Sequence, residues 1–188
     1  MTFDQQNIIL QLKKSTAYSH SVYRIKVLET HISWLLLTGS LVYKIKKEVK
    51  FGNILDFSTL GLRKKFCEKE YKLNRVWCGD MYQSVVKIIQ KNGIIRFADL
   101  KEKGKPLEYA VKMIEIPQRF RMDNLVKSGS INKKTINSLV DILVKFHNNA
   151  PTNNKISQFA LPQLLKNLMR ISKHFPNLQK LIPSLNLN

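Results

Sequence analysis

Residues 25–50, IKVLETHISWLLLTGSLVYKIKKEVK, decide the fold. The first run, Ile25-Lys26-Val27-Leu28, alternates apolar and polar residues, and Thr30-His31-Ile32-Ser33 interrupts it. Trp34-Leu35-Leu36-Leu37 resumes the run, Thr38-Gly39-Ser40 turns, and Leu41-Val42-Tyr43-Lys44-Ile45-Lys46 runs back. Period-two alternation rich in β-branched and aromatic residues, broken by a glycine-containing turn, marks antiparallel strands. In the third strand Leu41, Tyr43 and Ile45 share one face, and Val42, Lys44 and Lys46 share the other. Lys44 is therefore set mid-strand among apolar residues. An ammonium group there either reaches water along its own stem or finds an anion.

Outward from these strands, residues 1–21 read as a short leading helix on Ile8, Ile9 and Leu12, ending near Lys13-Lys14-Ser15. After a loop over 48–53 the period becomes helical. Leu62, Phe66, Leu73 and Trp77 recur over 59–77, with Ser58 as the expected N-cap and lysines and arginines on the other side. A strand at 85–89, a turn at Lys91-Asn92-Gly93 and a return at 94–97 follow. A polar loop over 101–106 then leads to a strand at 108–116, which Pro117 stops. Beyond Pro117 only helical patterns remain, at 122–127, 132–147 and 157–174. The expected class is α+β: a small antiparallel sheet with one packed helix, then a helical unit. The expected divisions are 1–21, 22–117 and 118–188.

The chain has 188 residues, 44% of them hydrophobic, enough for a packed core and against wholesale disorder. No apolar run is long enough to span a bilayer, and MTFDQQNIIL lacks the charged and apolar regions of a secretion signal. The expectation is a cytoplasmic protein with no membrane partner. Cys67 and Cys78 form neither a metal-binding spacing nor a disulfide framework. The net charge of +19 points to a polyanionic partner or to the lysine-rich coding of an AT-rich genome. Lysine dominates over the arginine that nucleic-acid readers use for bidentate contacts, and no zinc-finger, helix-turn-helix or RNP pattern occurs. A dedicated nucleic-acid partner is therefore not favoured. The basic run Arg63-Lys64-Lys65 with Lys69, Lys72 and Arg75 reads as a solvated helix face.

Three strands with a central lysine, a helix with a central glutamate, further strands and then helices follow the order of a protein-kinase-like fold. The segment THISWLLLTGSLVYKIKKEVKFGNILDFSTLGLRKKFCEKEYKLNR resembles the start of the aminoglycoside-phosphotransferase-like kinases, in particular the branch often fused to a P-loop ATPase domain. EYAVKMIEIP resembles the strand leading into that family's hinge, and the likeness spans residues 22–175. The resemblance implies a kinase-like small lobe followed by an incomplete helical lobe. It implies ATP as the cofactor, with Lys44 on the α- and β-phosphates and Glu70 as the helix carboxylate that holds it; Glu68 is the neighbouring alternative. Thr30 and Ser33 occupy the place of the phosphate-covering loop, here without glycine. Met113 and Glu115, with Lys112 and Ile114, fall where the family seats adenine.

The same resemblance exposes a departure. The family's catalytic loop, His-Gly-Asp-x-x-x-x-Asn, and its later metal-binding aspartate have no counterpart: no Asp or Glu occurs after Asp141. His147 matches a histidine ahead of that loop, and His174 is followed by Phe-Pro. The expectation is a nucleotide-binding fragment, inactive alone, without a protein site for Mg²⁺. Its apolar stripe Leu161, Leu164, Leu165, Leu168 and Ile171 would be completed by a separate chain, by a homodimer mate, or by packing on the 132–147 helix. The alternative is a non-catalytic basic protein that contacts nucleic acid or another polyanion.

Overall fold

The expected strands assemble into one antiparallel sheet. A computed structural model describes residues 4–52, 54–150 and 162–163. Its strands are β1 (Lys26–Glu29), β2 (Ser33–Leu37), β3 (Leu41–Lys46), β6 (Tyr82–Lys91), β7 (Ile94–Asp99) and β8 (Pro106–Ile114), in the spatial order β1-β2-β3-β8-β6-β7. A two-stranded ribbon, β4 (Lys50–Phe51) with β5 (Leu55–Asp56), precedes the long helix α2 (Leu60–Cys78). The β6–β7 hairpin turns on Asn92 and Gly93, whose φ values of 52° and 79° are those of a type I′ turn, the form that matches strand twist.

Alternation along β3 assigns its two faces to two cores. Tyr43 and Ile45, at 2% and 1% exposure, pack with Leu36, Ile88, Phe97 and Ala110. The leading helix α1 (Gln5–Gln11) closes this face through Ile8, Ile9 and, just past its end, Leu12. Ile8, Ile9, Leu12 and Ala17 thus form one wall of this core. Tyr43 stacks on Phe97 with ring centroids 4.0 Å apart, and Tyr18 meets both rings. Burial pushes the Tyr43 hydroxyl up to about 12.

The opposite face carries α2, which packs through Leu60, Cys67 and Tyr71 on Val85, Tyr109 and Val111. Its N-cap is Thr59, whose hydroxyl accepts from the Leu62 N–H at 3.2 Å, and not the expected Ser58. The Ser58 hydroxyl donates instead to Asp56 at 2.6 Å, and these bonds hold the Asp56 carboxyl down at about 2. The expected apolar stripe of α2 is not its buried stripe. Leu73 is exposed, whereas Arg63 and Cys67 are buried and Glu70 is half-buried. The reason is that Arg63 and Glu70 find partners on the sheet.

The chain forms two compact units, residues 1–127 and 128–188. The first ends with α3 (Met122–Lys127). In the second unit α4 (Lys133–Asn149) is N-capped by Asn132, whose side chain accepts from the Thr135 N–H at 2.9 Å. The helix expected at 157–174 and its leucine stripe lie outside the described residues, apart from 162–163. Among the described residues no helix is long and apolar enough to cross a membrane.

Candidate functional site

Strand register arranges the α2-facing side of the sheet in rows. Lys26, Leu37, Val42, Met113 and Tyr82 form one row across β1, β2, β3, β8 and β6. Leu28, Leu35, Lys44, Val111 and Val85 form the next, and Ser33 stands opposite Lys46 in the third. Lys44 is therefore flanked by apolar side chains on its own row, which confines its ammonium group to a partner directly above the sheet.

That partner is Glu70. Lys44 Nζ donates to Glu70 Oε1 at 2.8 Å, and Lys46 Nζ donates to Glu70 Oε2 at 2.6 Å. Burial, the largest influence, would push the Glu70 carboxyl up; the hydrogen bonds from Lys44 and Lys46 outweigh it and the net direction is downward. The neighbouring Glu68 faces away and sits 3.8 Å from Lys64 along the helix. Lys46 was legible only as a residue on the same strand face as Lys44. Nothing local signals that one carboxylate serves both.

A second buried pair anchors the same helix two turns earlier. Arg63 Nε donates to Glu108 Oε2 at 2.8 Å, and Arg63 Nη1 donates to the Phe57 and Ser58 carbonyls at 2.9 and 3.2 Å. Glu108 is 1% exposed and also accepts from Gln5 Nε2 at 2.6 Å and from the Tyr109 N–H at 3.0 Å. Burial holds the Glu108 carboxyl above its ordinary value, with Arg63 and Gln5 pulling against it. Gln5 Nε2 donates as well to the Lys46 carbonyl at 3.0 Å, so α1 is tied to the strand that carries the two lysines. Arg63 therefore does not belong to a solvated basic face. The spacing 63, 67, 70 places Arg63, Cys67 and Glu70 on one side of a helix, and that was the available signal.

The remaining expected residues divide between the two ends of β3. At the lysine end, the Thr30 hydroxyl accepts from the Ser33 N–H at 3.0 Å and donates to the Ser33 carbonyl at 3.0 Å. It is spent inside its own turn. Ser33 is fully buried, and its hydroxyl has no hydrogen-bond partner among the described residues. The Thr30 hydroxyl is thus engaged within the turn and that of Ser33 is buried, while the turn itself sits beside β3, with the Lys47 N–H donating to the Ile32 carbonyl at 2.9 Å. At the other end, Met113 lies across from Val42, and the Glu115 carboxylate accepts from the Gly39 N–H at 2.8 Å. A cavity of about 220 Å³ opens there, lined by Arg24, Lys26, Leu37, Gly39, Glu115 and Gln118. Lys44 thus lies between a turn at one end of β3 and a cavity at the other.

No family model matches the chain. It is 27% identical over 129 residues to the uncharacterized protein Rv2004c of Mycobacterium tuberculosis (strain ATCC 25618 / H37Rv), and equally to the uncharacterized protein Mb2027c of Mycobacterium bovis (strain ATCC BAA-935 / AF2122/97). Each match covers 69% of this chain and 24% of the relative, so the chain spans about a quarter of the length of the curated relatives it matches. No solved structure matches.

Proposed function

We propose that residues 22–117 form the nucleotide-binding lobe of a kinase-like phosphotransferase, with ATP lying along the α2-facing side of β3. The observation that carries this reading is the Lys44–Glu70 pair at 2.8 Å, which holds a partly exposed ammonium group in one direction on an otherwise apolar row. The base then lies toward Leu37, Val42 and Met113, beside the cavity at Glu115, and the phosphates lie toward Lys44 and the Thr30–Ser33 turn. In this reading Thr30 and Ser33 shape the turn, whose Thr30, Ile32 and Ser33 N–H groups donate within it, and Lys44 is the main phosphate contact. The sequence after Asp141 contributes no carboxylate to hold Mg²⁺, so the role assigned to these residues is binding, and phosphoryl transfer would need acidic groups supplied from elsewhere. The acceptor is left unassigned, since a fold does not specify it.

The test is calorimetric titration with a non-hydrolysable ATP analogue, with and without Mg²⁺, at two salt concentrations. Saturable binding, lost in Lys44→Ala and weakened in Glu70→Ala, is expected. Losing one charge-assisted hydrogen bond to phosphate corresponds to roughly 10- to 150-fold in affinity. Wild-type-like binding by both variants refutes the assignment. The net charge of +19 supports a second reading, a polyanion contact through Lys64, Lys65, Lys69 and Lys72 on α2. That reading predicts binding to any polyphosphate with a steep loss in salt.

A further inference from the structure

We propose that Lys46 is the fixed counter-ion of Glu70 and Lys44 the exchangeable one, so that an arriving phosphate chain takes Lys44 while Lys46 holds Glu70 in place. The inference rests on the nucleotide reading above and assigns Lys46 the part of a positioning residue within that site.

Three observations separate the two lysines, which otherwise share a strand face and a carboxylate. The Lys46 side chain is 6% exposed and that of Lys44 is 27% exposed, so Lys44 alone reaches the surface from which a ligand comes. Lys46 Nζ also lies 4.9 Å from the centre of the buried Phe57 ring, a second favourable contact that Lys44 lacks among the described residues. The peptide unit that follows Lys46 is pinned at both of its polar groups: Gln5 Nε2 donates to the Lys46 carbonyl at 3.0 Å and the Lys47 N–H donates to the Ile32 carbonyl at 2.9 Å. Lys46 has little freedom to turn elsewhere.

The charges give this asymmetry a purpose. Two ammonium groups on one carboxylate leave the cluster with one positive charge in excess, in a place where Glu70 is only 13% exposed. A half-buried excess charge favours an added anion. If Lys44 were the only partner of Glu70, its departure to a phosphate would strand a half-buried carboxylate, a cost of the kind that makes breaking buried pairs unfavourable. With Lys46 already on Oε2, Lys44 leaves without that cost, and α2 keeps its seat on the sheet. The site can then bind phosphate without first rearranging.

The experiment is a double-mutant cycle on the purified full chain, read by ATP-analogue calorimetry and by urea unfolding, with Lys46→Met, Glu70→Gln and the double variant. The expected result is about a tenfold loss of affinity in Lys46→Met, with the double variant no weaker than Glu70→Gln, because Lys46 acts through Glu70. Additive losses would put Lys46 directly on the ligand and overturn the inference, as would wild-type affinity in folded Lys46→Met. Should Lys46→Met fail to fold, ¹³C titration of the wild-type Glu70 carboxyl decides. A midpoint that stays below its ordinary value with ATP bound supports the inference, and one that rises above it overturns it. If the wild-type chain binds no ATP, the nucleotide reading fails on its own. Unfolding cycles extended to Lys44→Met and its double variant with Glu70→Gln then judge Lys46 separately: a Lys46–Glu70 coupling larger than the Lys44–Glu70 coupling upholds it as the fixed partner, and an equal or smaller one overturns that.

Discussion

Replacing Arg63 with Met should destabilise the first unit more than any other single change on α2. Arg63 is 5% exposed, and its guanidinium makes three hydrogen bonds, one to Glu108 and two to the Phe57 and Ser58 carbonyls. Met fills most of the volume but donates nothing. Glu108, 1% exposed, then keeps only the Gln5 and Tyr109 donors and loses its only close cation among the described residues. Removing one member of a buried pair costs about 3–5 kcal/mol, because the survivor stays desolvated and uncompensated. Against a typical total of about 5–15 kcal/mol, that is a large fraction. The cost has a pH signature. A carboxyl held above its ordinary value stabilises the fold fully below that ordinary value and loses the contribution as pH rises through the folded-state value. Losing Arg63 pushes Glu108 further up, so the deficit of Arg63→Met should grow between pH 5 and pH 7. Urea unfolding followed by circular dichroism at both pH values measures it. The double variant Arg63→Met/Glu108→Leu should recover much of the loss, since neither charge remains to be buried. A deficit under about 1 kcal/mol at pH 7, or a double variant as unstable as the single, refutes the reasoning.

Glu70 should show the opposite pH dependence. Its folded-state carboxyl is held below the ordinary value, so the pair's contribution is present above that value and is lost as pH falls through the folded one; Glu70→Gln should flatten the acid limb of the stability profile, and an unchanged limb would count against the pairing. The two cysteines should differ sharply toward iodoacetamide. Cys67 is fully buried and pushed up to about 12 by its burial, while Cys78 is exposed. Mass spectrometry should find one adduct on the native chain and two in urea, and rapid double labelling of the native chain would place Cys67 elsewhere than in the core under α2.

The sequence carried the strands because alternation is a local property. Period two over Leu41–Lys46 and the Asn92-Gly93 turn act over a few residues, and both are legible without knowing what the sheet packs against, whereas the last strand ends at Ile114, short of the Pro117 expected to stop it. The Lys44–Glu70 pairing entered through a resemblance, since no local rule links residues 26 apart. Apolar periodicity misled over α2. Leu73 was expected inside and is exposed, whereas Arg63 was expected in solvent and is buried. A hydrophobic stripe marks the buried side of a helix only where the facing sheet offers no ions; here it offers Glu108, Lys44 and Lys46.

By itself, then, the sequence determined the order of the elements, the alternation that puts Lys44 and Lys46 on one strand face, and the absence of any acidic residue beyond Asp141. Tertiary structure alone decided that both lysines converge on one carboxylate, that Arg63 is an interior residue, and that α1 reaches across to Glu108 and the Lys46 carbonyl. The physical reason is range. Propensity and periodicity act between neighbours, while the burial of a charge depends on a partner that strand register brings from 24 to 103 residues away.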